Sequence, residues 1–223
     1  MTTIGEQPIE YVTGKVEFNG LVLTVTPDVL IPRLETERLA QLAVEEVNKI
    51  GQPQLTIADV GTGSGAVIIY LASKLADKQH SYLASDVSQP AVTVAKQNAQ
   101  AIVPKAAISF FVSDILEQYP ATKLDIIIAN LPYIPHARIA VLDASVVDYE
   151  PHLALDGGED GLQLIGRLLN TAPEYLKPGG TILLEVDYTH TQDAFAQFED
   201  RYSVEVFLDE FSRNRFVRCN LLR

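Results

Sequence analysis

Four short stretches carry residue types that could do chemistry together. The first is Asp59-Val60-Gly61-Thr62-Gly63-Ser64-Gly65, a glycine-rich turn between a strand-like and a helix-like run. Glycines there let the chain turn tightly and let a ligand approach the backbone, while the helix start behind them presents free N–H groups. Gly61, Gly63 and Ala66 also satisfy the spacing of nicotinamide-binding turns, so this segment alone names no cofactor. The next two stretches place Asp86 and Asp114, the latter followed by Ile115, at the ends of the next two strand-like runs. A carboxylate there can accept hydrogen bonds from a ribose diol or an adenine amine; taken singly, each Asp reads equally as a helix N-cap or a solvated turn. Together, and in step with the glycine turn, they favour a nucleoside-containing cofactor. The fourth stretch is Asn130-Leu131-Pro132-Tyr133, directly after another apolar run. The Asn side-chain oxygen and the following backbone carbonyl can both accept from one planar NH2 group, the proline fixes the loop and the aromatic ring can stack on the planar group. That set suits an amine conjugated to a carbonyl or a ring, against the plainer reading of Asn-x-Pro as a turn.

These residues need a frame that brings separate chain segments to one edge. The apolar period switches repeatedly between strand and helix, the pattern of an α/β domain. Strands are expected at about 55–60, 81–86, 107–112, 124–129, 181–186, 203–208 and 215–221, with helices at about 64–76, 89–101, 160–176 and 192–199. A long loop should separate the fourth strand from the helix at 160. Seven strands interleaved with helices imply one open twisted sheet with helices on both faces, mostly parallel, closing on an antiparallel hairpin. Ahead of it, Val16 to Val25 reads as a hairpin around Asn19-Gly20, and Leu34 to Ile50 as a helix with Leu39, Leu42, Ala43 and Val47 on one face and Gly51 as its stop. The expected organisation is a hairpin and connector helix over residues 1–50 and a cofactor-binding domain over 51–223.

Composition narrows the classes. The chain has 223 residues, 47% of them hydrophobic, with 17 Lys+Arg against 29 Asp+Glu for a net charge of -12. That apolar content can build a sizeable core and excludes disordered and collagen-like classes. The single cysteine, Cys219, allows neither an internal disulfide nor a multi-cysteine zinc site, and reads as a small core residue in a reducing compartment. His80, His136, His152 and His190 share no ligand-like spacing and read as surface or loop residues, so no metal is expected. No apolar run approaches a membrane span and Met1 opens no signal segment, so a soluble cytoplasmic protein is expected. The acidic balance opposes broad attraction to nucleic acid.

Taken together, the chain resembles the S-adenosylmethionine-dependent class I methyltransferases, and within them the release-factor glutamine methyltransferases of the HemK type. The resemblance runs through Tyr11-Val12-Thr13-Gly14, Glu17-Phe18-Asn19-Gly20, Leu30-Ile31-Pro32-Arg33-Leu34-Glu35-Thr36-Glu37, the Asp59 to Gly65 turn, Asp86 and Asn130 to Pro135. It continues with Glu150-Pro151 through Gly157-Gly158-Glu159-Asp160-Gly161-Leu162, Pro178-Gly179-Gly180 and Leu184-Glu185. The glycine turn marks only the superfamily; the Pro32 to Glu37 and Glu150 to Leu162 segments are specific to the family. The fold implied is a Rossmann-like seven-stranded sheet, and the cofactor S-adenosylmethionine. By the same resemblance Asp59 and Gly61, Thr62, Gly63, Ser64 and Gly65 lie along the cofactor's methionine part, Asp86 holds the ribose, and Asp114 with Ile115 borders the adenine. Asn130 and the Leu131 carbonyl would hold the target amide, with Pro132 fixing the loop, Tyr133 and Phe18 walling the glutamine side chain, and Arg33, Glu35 and Thr36 over the cofactor side. The implied substrate is the glutamine of the Gly-Gly-Gln loop in a peptide chain release factor.

The chain departs from the family at three places. Leu131 stands where a first proline is usual, as in rRNA adenine dimethyltransferases, which keeps methylation of an adenine amine on RNA or DNA as the alternative activity. A cofactor-fold subunit without catalysis is a third reading, opposed by the intact Asn130 to Tyr133 motif. Asp187 and His190 replace the usual Gly and Gln and should alter that edge of the cleft. The helical domain that usually precedes the hairpin is expected to be lacking, since residues 1–15 cannot form a bundle, so substrate capture is expected to depend on the hairpin, on an accessory subunit or on a different substrate. Six acidic residues and no Lys or Arg lie between Asp143 and Asp160, whereas from Arg201 onward five arginines face three acids. The acidic segment reads as a solvated face or as a surface suited to a basic protein substrate.

Overall fold

The computed structural model describes residues 7–223. A short helix, α1 (Ile9–Thr13), ends at Gly14 and leads into a two-stranded hairpin, β1 (Lys15–Phe18) and β2 (Leu21–Thr24). Asn19 and Gly20 turn it with φ of 49° and 80°, the left-handed pair that matches the twist of a two-residue hairpin. The hairpin forms its own small sheet, apart from the main one. Helix α2 (Leu34–Ile50) stops at left-handed Gly51, whose N–H bonds to the Val47 carbonyl.

The main sheet is built from β3 (Thr56–Val60), β4 (Ser81–Asp86), β5 (Ile108–Val112), β6 (Leu124–Ala129), β7 (Leu176–Glu185), β8 (Tyr202–Leu208) and β9 (Asn214–Leu221). Their spatial order is β5-β4-β3-β6-β7-β9-β8, parallel from β5 to β7, with β9 antiparallel to both of its neighbours. The expected seven-stranded sheet with its terminal antiparallel hairpin is present. Helices α3 (Ala66–Lys74), α4 (Gln89–Ile102) and α7 (Gln163–Thr171) cross between strands. Period-2 alternation divides the core in two. Ile57, Ile126, Ile128 and Leu183 face α2, α3 and the hairpin, while Ala58, Ile127, Ala129 and Leu184 face α7 and the turn around Phe195 and Phe198. Every residue of β6 is buried, as a central parallel strand covered on both faces requires.

Register matters for function. Val60 sits opposite Ser85 on one side and Ala129 on the other, and Ala129 sits opposite Leu184. The residues that follow, Gly61, Asp86, Asn130 and Glu185, therefore emerge along one edge, at the point where strand order turns from β4 on one side to β6 on the other. Crevices of α/β sheets open at that switch point.

Several expected elements differ in extent. The helix expected at 64–76 starts at Ala66 because Gly65 is left-handed, with φ of 83°. The helix expected at 160–176 runs only from Gln163 to Thr171: Gly161 is left-handed ahead of it, and Pro173 sits in the 3-10 turn after it. Residues 192–198 form a 3-10 turn and not an α-helix. Strand β7 begins at Leu176, not 181, with a register shift opposite Leu124 and Ile126 that takes up Pro178-Gly179-Gly180. The stretch expected as a loop holds α5 (His136–Ile139), α6 (Ala144–Tyr149) and a 3-10 turn at His152–Ala154. Cys219 is fully buried in β9, and burial raises its thiol pKa to about 12. Two of the four histidines expected at the surface or in loops, His80 and His190, lie in loops but are buried there. Among the described residues no helix is long and apolar enough to cross a membrane.

Candidate active site

The glycine turn is bound to the neighbouring strand before any ligand enters. The N–H groups of Gly61 and Thr62 donate to the Ser85 carbonyl at 2.9 and 2.8 Å, and the Gly63 N–H donates to Asp86 Oδ2 at 2.9 Å. The other Asp86 oxygen accepts from the Ser88 N–H at 2.9 Å. Gly63 has φ of 53°, and a Cβ there would meet nothing within 4 Å, so the backbone faces open space. A Cβ on Gly65 would instead press within 2.8 Å of Ile69 Cδ1 and 3.2 Å of Ala95 Cβ. Gly65 is not among the residues that line the cavity: its place is between α3 and α4, where the missing side chain lets the helices approach.

A cavity of about 350 Å³ opens over this turn. Its wall includes Asp59, Gly61, Thr62, Gly63, Ser64, Asp86, Asp114, Ile115, Asn130, Leu131 and Pro132, closed from the other side by Asp28, Val29, Leu30 and Pro32. Thr62 Oγ1 donates to Asp59 Oδ2 at 2.6 Å, and burial raises the Asp59 pKa to about 7. Burial also raises Asp86 above its usual value, opposed by its backbone hydrogen bonds. Asp114 pairs with Arg167 at 2.9 Å, and Ile115 holds the left-handed φ of 53° at that rim. The buried Ser64 hydroxyl has no partner among the described residues. An exposed glycine backbone, an orphaned hydroxyl, two carboxylates at successive strand ends and apolar walls from Val29 and Leu30 fit a nucleoside carrying an amino-acid tail.

At the other end of the cavity, Asn130 Nδ2 donates to Thr36 Oγ1 at 3.0 Å and Thr36 Oγ1 donates to Glu185 Oε2 at 2.8 Å. The remaining Glu185 oxygen accepts from the Tyr133 hydroxyl at 2.9 Å. Glu185 has no exposure to water, and burial raises its pKa to about 7. Burial, then the Glu185 charge, holds Tyr133 well above its ordinary value. The Arg215 guanidinium lies 5.7 Å from the Tyr133 ring centroid and donates to the Val186 carbonyl at 3.0 Å. Asn130 Oδ1 and the Leu131 carbonyl have no protein partner among the described residues, and both residues line the cavity.

Four other expected site residues, Tyr133, Phe18, Arg33 and Glu35, sit outside the cavity wall. Phe18 is wholly buried, its ring edge-on to Tyr70 with centroids 6.3 Å apart, so it cannot wall a substrate side chain here. The reason is pleat: β1 alternates, and Phe18 is its inward residue at the turn. Arg33 forms an ion pair with Glu150, and Glu35 lies 3.5 Å from Arg213, both beside the cavity residues Pro32 and Thr36.

The glycines of the 157–161 segment have a mechanical explanation. A Cβ on Gly157 would lie 2.8 Å from the Pro132 carbonyl oxygen and from Tyr133 Cα, and one on Gly161 would lie 2.2 Å from the Tyr133 carbonyl oxygen. Gly157 N–H donates to the Ile134 carbonyl at 2.9 Å, and Ile134 N–H to the Leu155 carbonyl at 3.2 Å. Residues 155–161 therefore clamp the backbone of the Asn130 to Ile134 loop. The two unusual residues reinforce the same region: Asp187 pairs with Arg138 at 2.8 Å, and His190 Nε2 donates to the Asp160 carbonyl at 2.9 Å. Sequence reasoning missed the place of Glu185 beneath Asn130, and Arg215 and Arg167 altogether. The available signal was the parallel pairing of the strands that end at residues 129 and 185.

Comparison with known proteins agrees with this geometry. Residues 37–158 match the family model described as Methyltransferase small domain. A release factor glutamine methyltransferase of Lactococcus lactis is 37% identical over 214 residues, covering 95% of this chain and 76% of that protein. The chain belongs to the release factor glutamine methyltransferase family. A further member, from Moorella thermoacetica, is 42% identical over 80% of this chain and 62% of its own length. Among solved structures, a ribosomal protein L11 methylase from Lactobacillus delbrueckii subsp. bulgaricus superposes with a TM-score of 0.61 at 24% identity, covering 89% of this chain and 84% of that one. A Thermus thermophilus 16S rRNA methyltransferase bound to its cofactor and guanosine does so with 0.64 at 16%, over 94% of this chain and 50% of that one. These two share the fold. As in the family, the cofactor of this enzyme is S-adenosylmethionine.

Proposed function

We propose that this enzyme methylates the side-chain amide of a glutamine in a peptide chain release factor, the glutamine of its Gly-Gly-Gln loop. One observation carries the reading: the adjacent residues Asn130 and Leu131 both line the cavity, and Asn130 Oδ1 and the Leu131 carbonyl, both hydrogen-bond acceptors, have no protein partner among the described residues. They match the two hydrogens of one planar NH2. Leu131 in place of proline keeps the carbonyl, and its Cδ2 atom packs 3.0 Å from where a Gly61 Cβ would stand, so contact with the glycine turn steadies the loop.

Bound S-adenosylmethionine supplies an electrophilic methyl group on a sulfonium. Gly63, Ser64, Asp86 and Asp114 would hold it, with the strap from Asp28 to Pro32 over it. The protein's task is placement, because an amide nitrogen is a weak nucleophile and must be held roughly 3–3.5 Å from the methyl carbon, in line. Acceptors on both N–H groups also stabilise the positive charge that develops on that nitrogen, and the low-dielectric cavity strengthens them. The acidic segment from Asp143 to Asp160 suits a basic protein partner over a polyanion.

The test is transfer of labelled methyl from S-adenosylmethionine to purified release factor or to ribosomal RNA. Label is expected on the release-factor glutamine alone. Asn130→Ala should lower that transfer by about 100- to 1,000-fold while cofactor affinity, read by calorimetry, stays near wild type. Label on RNA with none on release factor would overturn the reading.

A further inference from the structure

The catalytic amide of Asn130 has two nearly isosteric orientations, and only one of them presents an acceptor to the substrate. Hydrogen-bond polarity decides between them. Above about pH 7, where Glu185 is ionised, it can only accept, so the Thr36 hydrogen is committed to Glu185 Oε2 at 2.8 Å. Thr36 Oγ1 then has only lone pairs left for Asn130, which must turn its NH2 toward Thr36, as it does at 3.0 Å. Asn130 Oδ1 is thereby aimed away from Thr36. The anchor is itself fixed: Glu185 is wholly buried, its second oxygen accepts from Tyr133 at 2.9 Å, and Arg215 lies against the Tyr133 ring. The charged groups facing Glu185 from its surroundings are Arg215 and Glu35.

We propose that Thr36 and Glu185 are positioning residues that set the polarity of Asn130, so that the site accepts hydrogens from its substrate and rejects a group that offers an acceptor there. This rests on the reading that Asn130 holds the target amide. The relay joins three segments distant in sequence, α2, the loop after β6 and the end of β7, and the last two meet because Ala129 pairs with Leu184. Without Thr36, the Asn130 NH2 loses its acceptor and the amide is free to flip, which misplaces the acceptor by about the width of an amide group. Misplacements of that order cost about 100-fold in rate. Replacing Glu185 with Gln supplies a donor at the anchor and permits the reversed chain, in which Thr36 donates to Asn130 Oδ1 and Asn130 shows its NH2 to the substrate.

The experiment compares Thr36→Val, Thr36→Ser, Glu185→Gln and Asn130→Ala in steady-state methylation of release factor, with cofactor affinity measured by calorimetry. Thr36→Val and Glu185→Gln should each lower kcat by about 10- to 100-fold, with cofactor affinity within a few-fold of wild type, and Thr36→Ser should recover most of the loss. Glu185→Gln keeps volume and shape, so it decides the matter if Thr36→Val does not fold. Wild-type kcat in Thr36→Val or Glu185→Gln beside an inactive Asn130→Ala would overturn the relay and leave the proposed function standing. Equal loss in Thr36→Ser and Thr36→Val, or a loss confined to cofactor affinity, would also overturn it. Full activity in Asn130→Ala would remove the reading beneath it.

Discussion

Asp59 and Glu185 are acidic side chains withdrawn from water on the two sides of the cavity, and each is expected to hold its proton until about pH 7. Burial is the leading cause in both, since a low-dielectric surrounding penalises the charged form. The folded protein therefore binds these protons more tightly than the unfolded chain, whose carboxylates ionise near their ordinary values of 3.8 and 4.5. Their stabilising contribution is fully present below those values and is lost as pH rises toward about 7. His80 works in the opposite sense, because burial lowers its pKa and favours the neutral form as pH rises. Two carboxylates outweigh one imidazole, so the thermal midpoint should fall between pH 5 and pH 8 by on the order of 5 °C. Thermal unfolding of the double variant Asp59→Asn, Glu185→Gln checks the assignment. Its midpoint should be flat or rise slightly over the same range, and a slope equal to wild type would locate the titration elsewhere.

The loop after β6 shows why an element can be legible and its support hidden. Asn130 to Tyr133 stands out in the sequence because its residue types spell a function, and its place at a strand end follows from the apolar run before it. The clamp that holds it does not stand out. Gly157 and Gly161 touch the loop only because residues 134 and 156 bridge in parallel, a contact made across a segment that has no periodicity to read. Glu185 is similar: its motif was visible, but its burial beneath Asn130 depends on strand order. Phe18 was misplaced for the complementary reason, since a family pattern names a position while the pleat of a four-residue strand decides which way it points. Gly161 offers the sharpest test at this scale. Its φ is 79° and an added Cβ would collide with the Tyr133 carbonyl, whereas Gly179, with φ of 78°, has open space around it. Gly161→Ala should cost roughly 2–4 kcal/mol and lower kcat sharply. Gly179→Ala should show only the backbone penalty of roughly 1–2 kcal/mol with kcat unchanged. Equal effects of the two on kcat would mean that the clamp does not govern the site.

At the scale of the whole molecule, the sheet, its parallel run and its antiparallel close were readable from the alternation of periods, because a doubly wound sheet leaves few other ways to bury so many continuous apolar strands. The order of strands was not readable in the same way, yet it is what gathers the glycine turn, Asp86, Asn130 and Glu185 at one switch point. Cys219 turns that topology into an instrument. It lies in β9, held between β7 and β8, with no exposure and a thiol pKa raised to about 12. The thiolate is the reactive form, so a thiol reagent should modify Cys219 only after the sheet opens. The cavity is lined by residues following β3, β4, β5 and β6, and a cofactor bound there should oppose that opening if the sheet comes apart as one unit. At a cofactor concentration 100 times its dissociation constant, linkage stabilises the folded form by about 2.7 kcal/mol, which should slow labelling by about 100-fold. Mass spectrometry of alkylated protein with and without S-adenosylmethionine gives the ratio directly. Labelling that the cofactor does not slow would show that the β8–β9 hairpin opens by itself while the catalytic half stays folded.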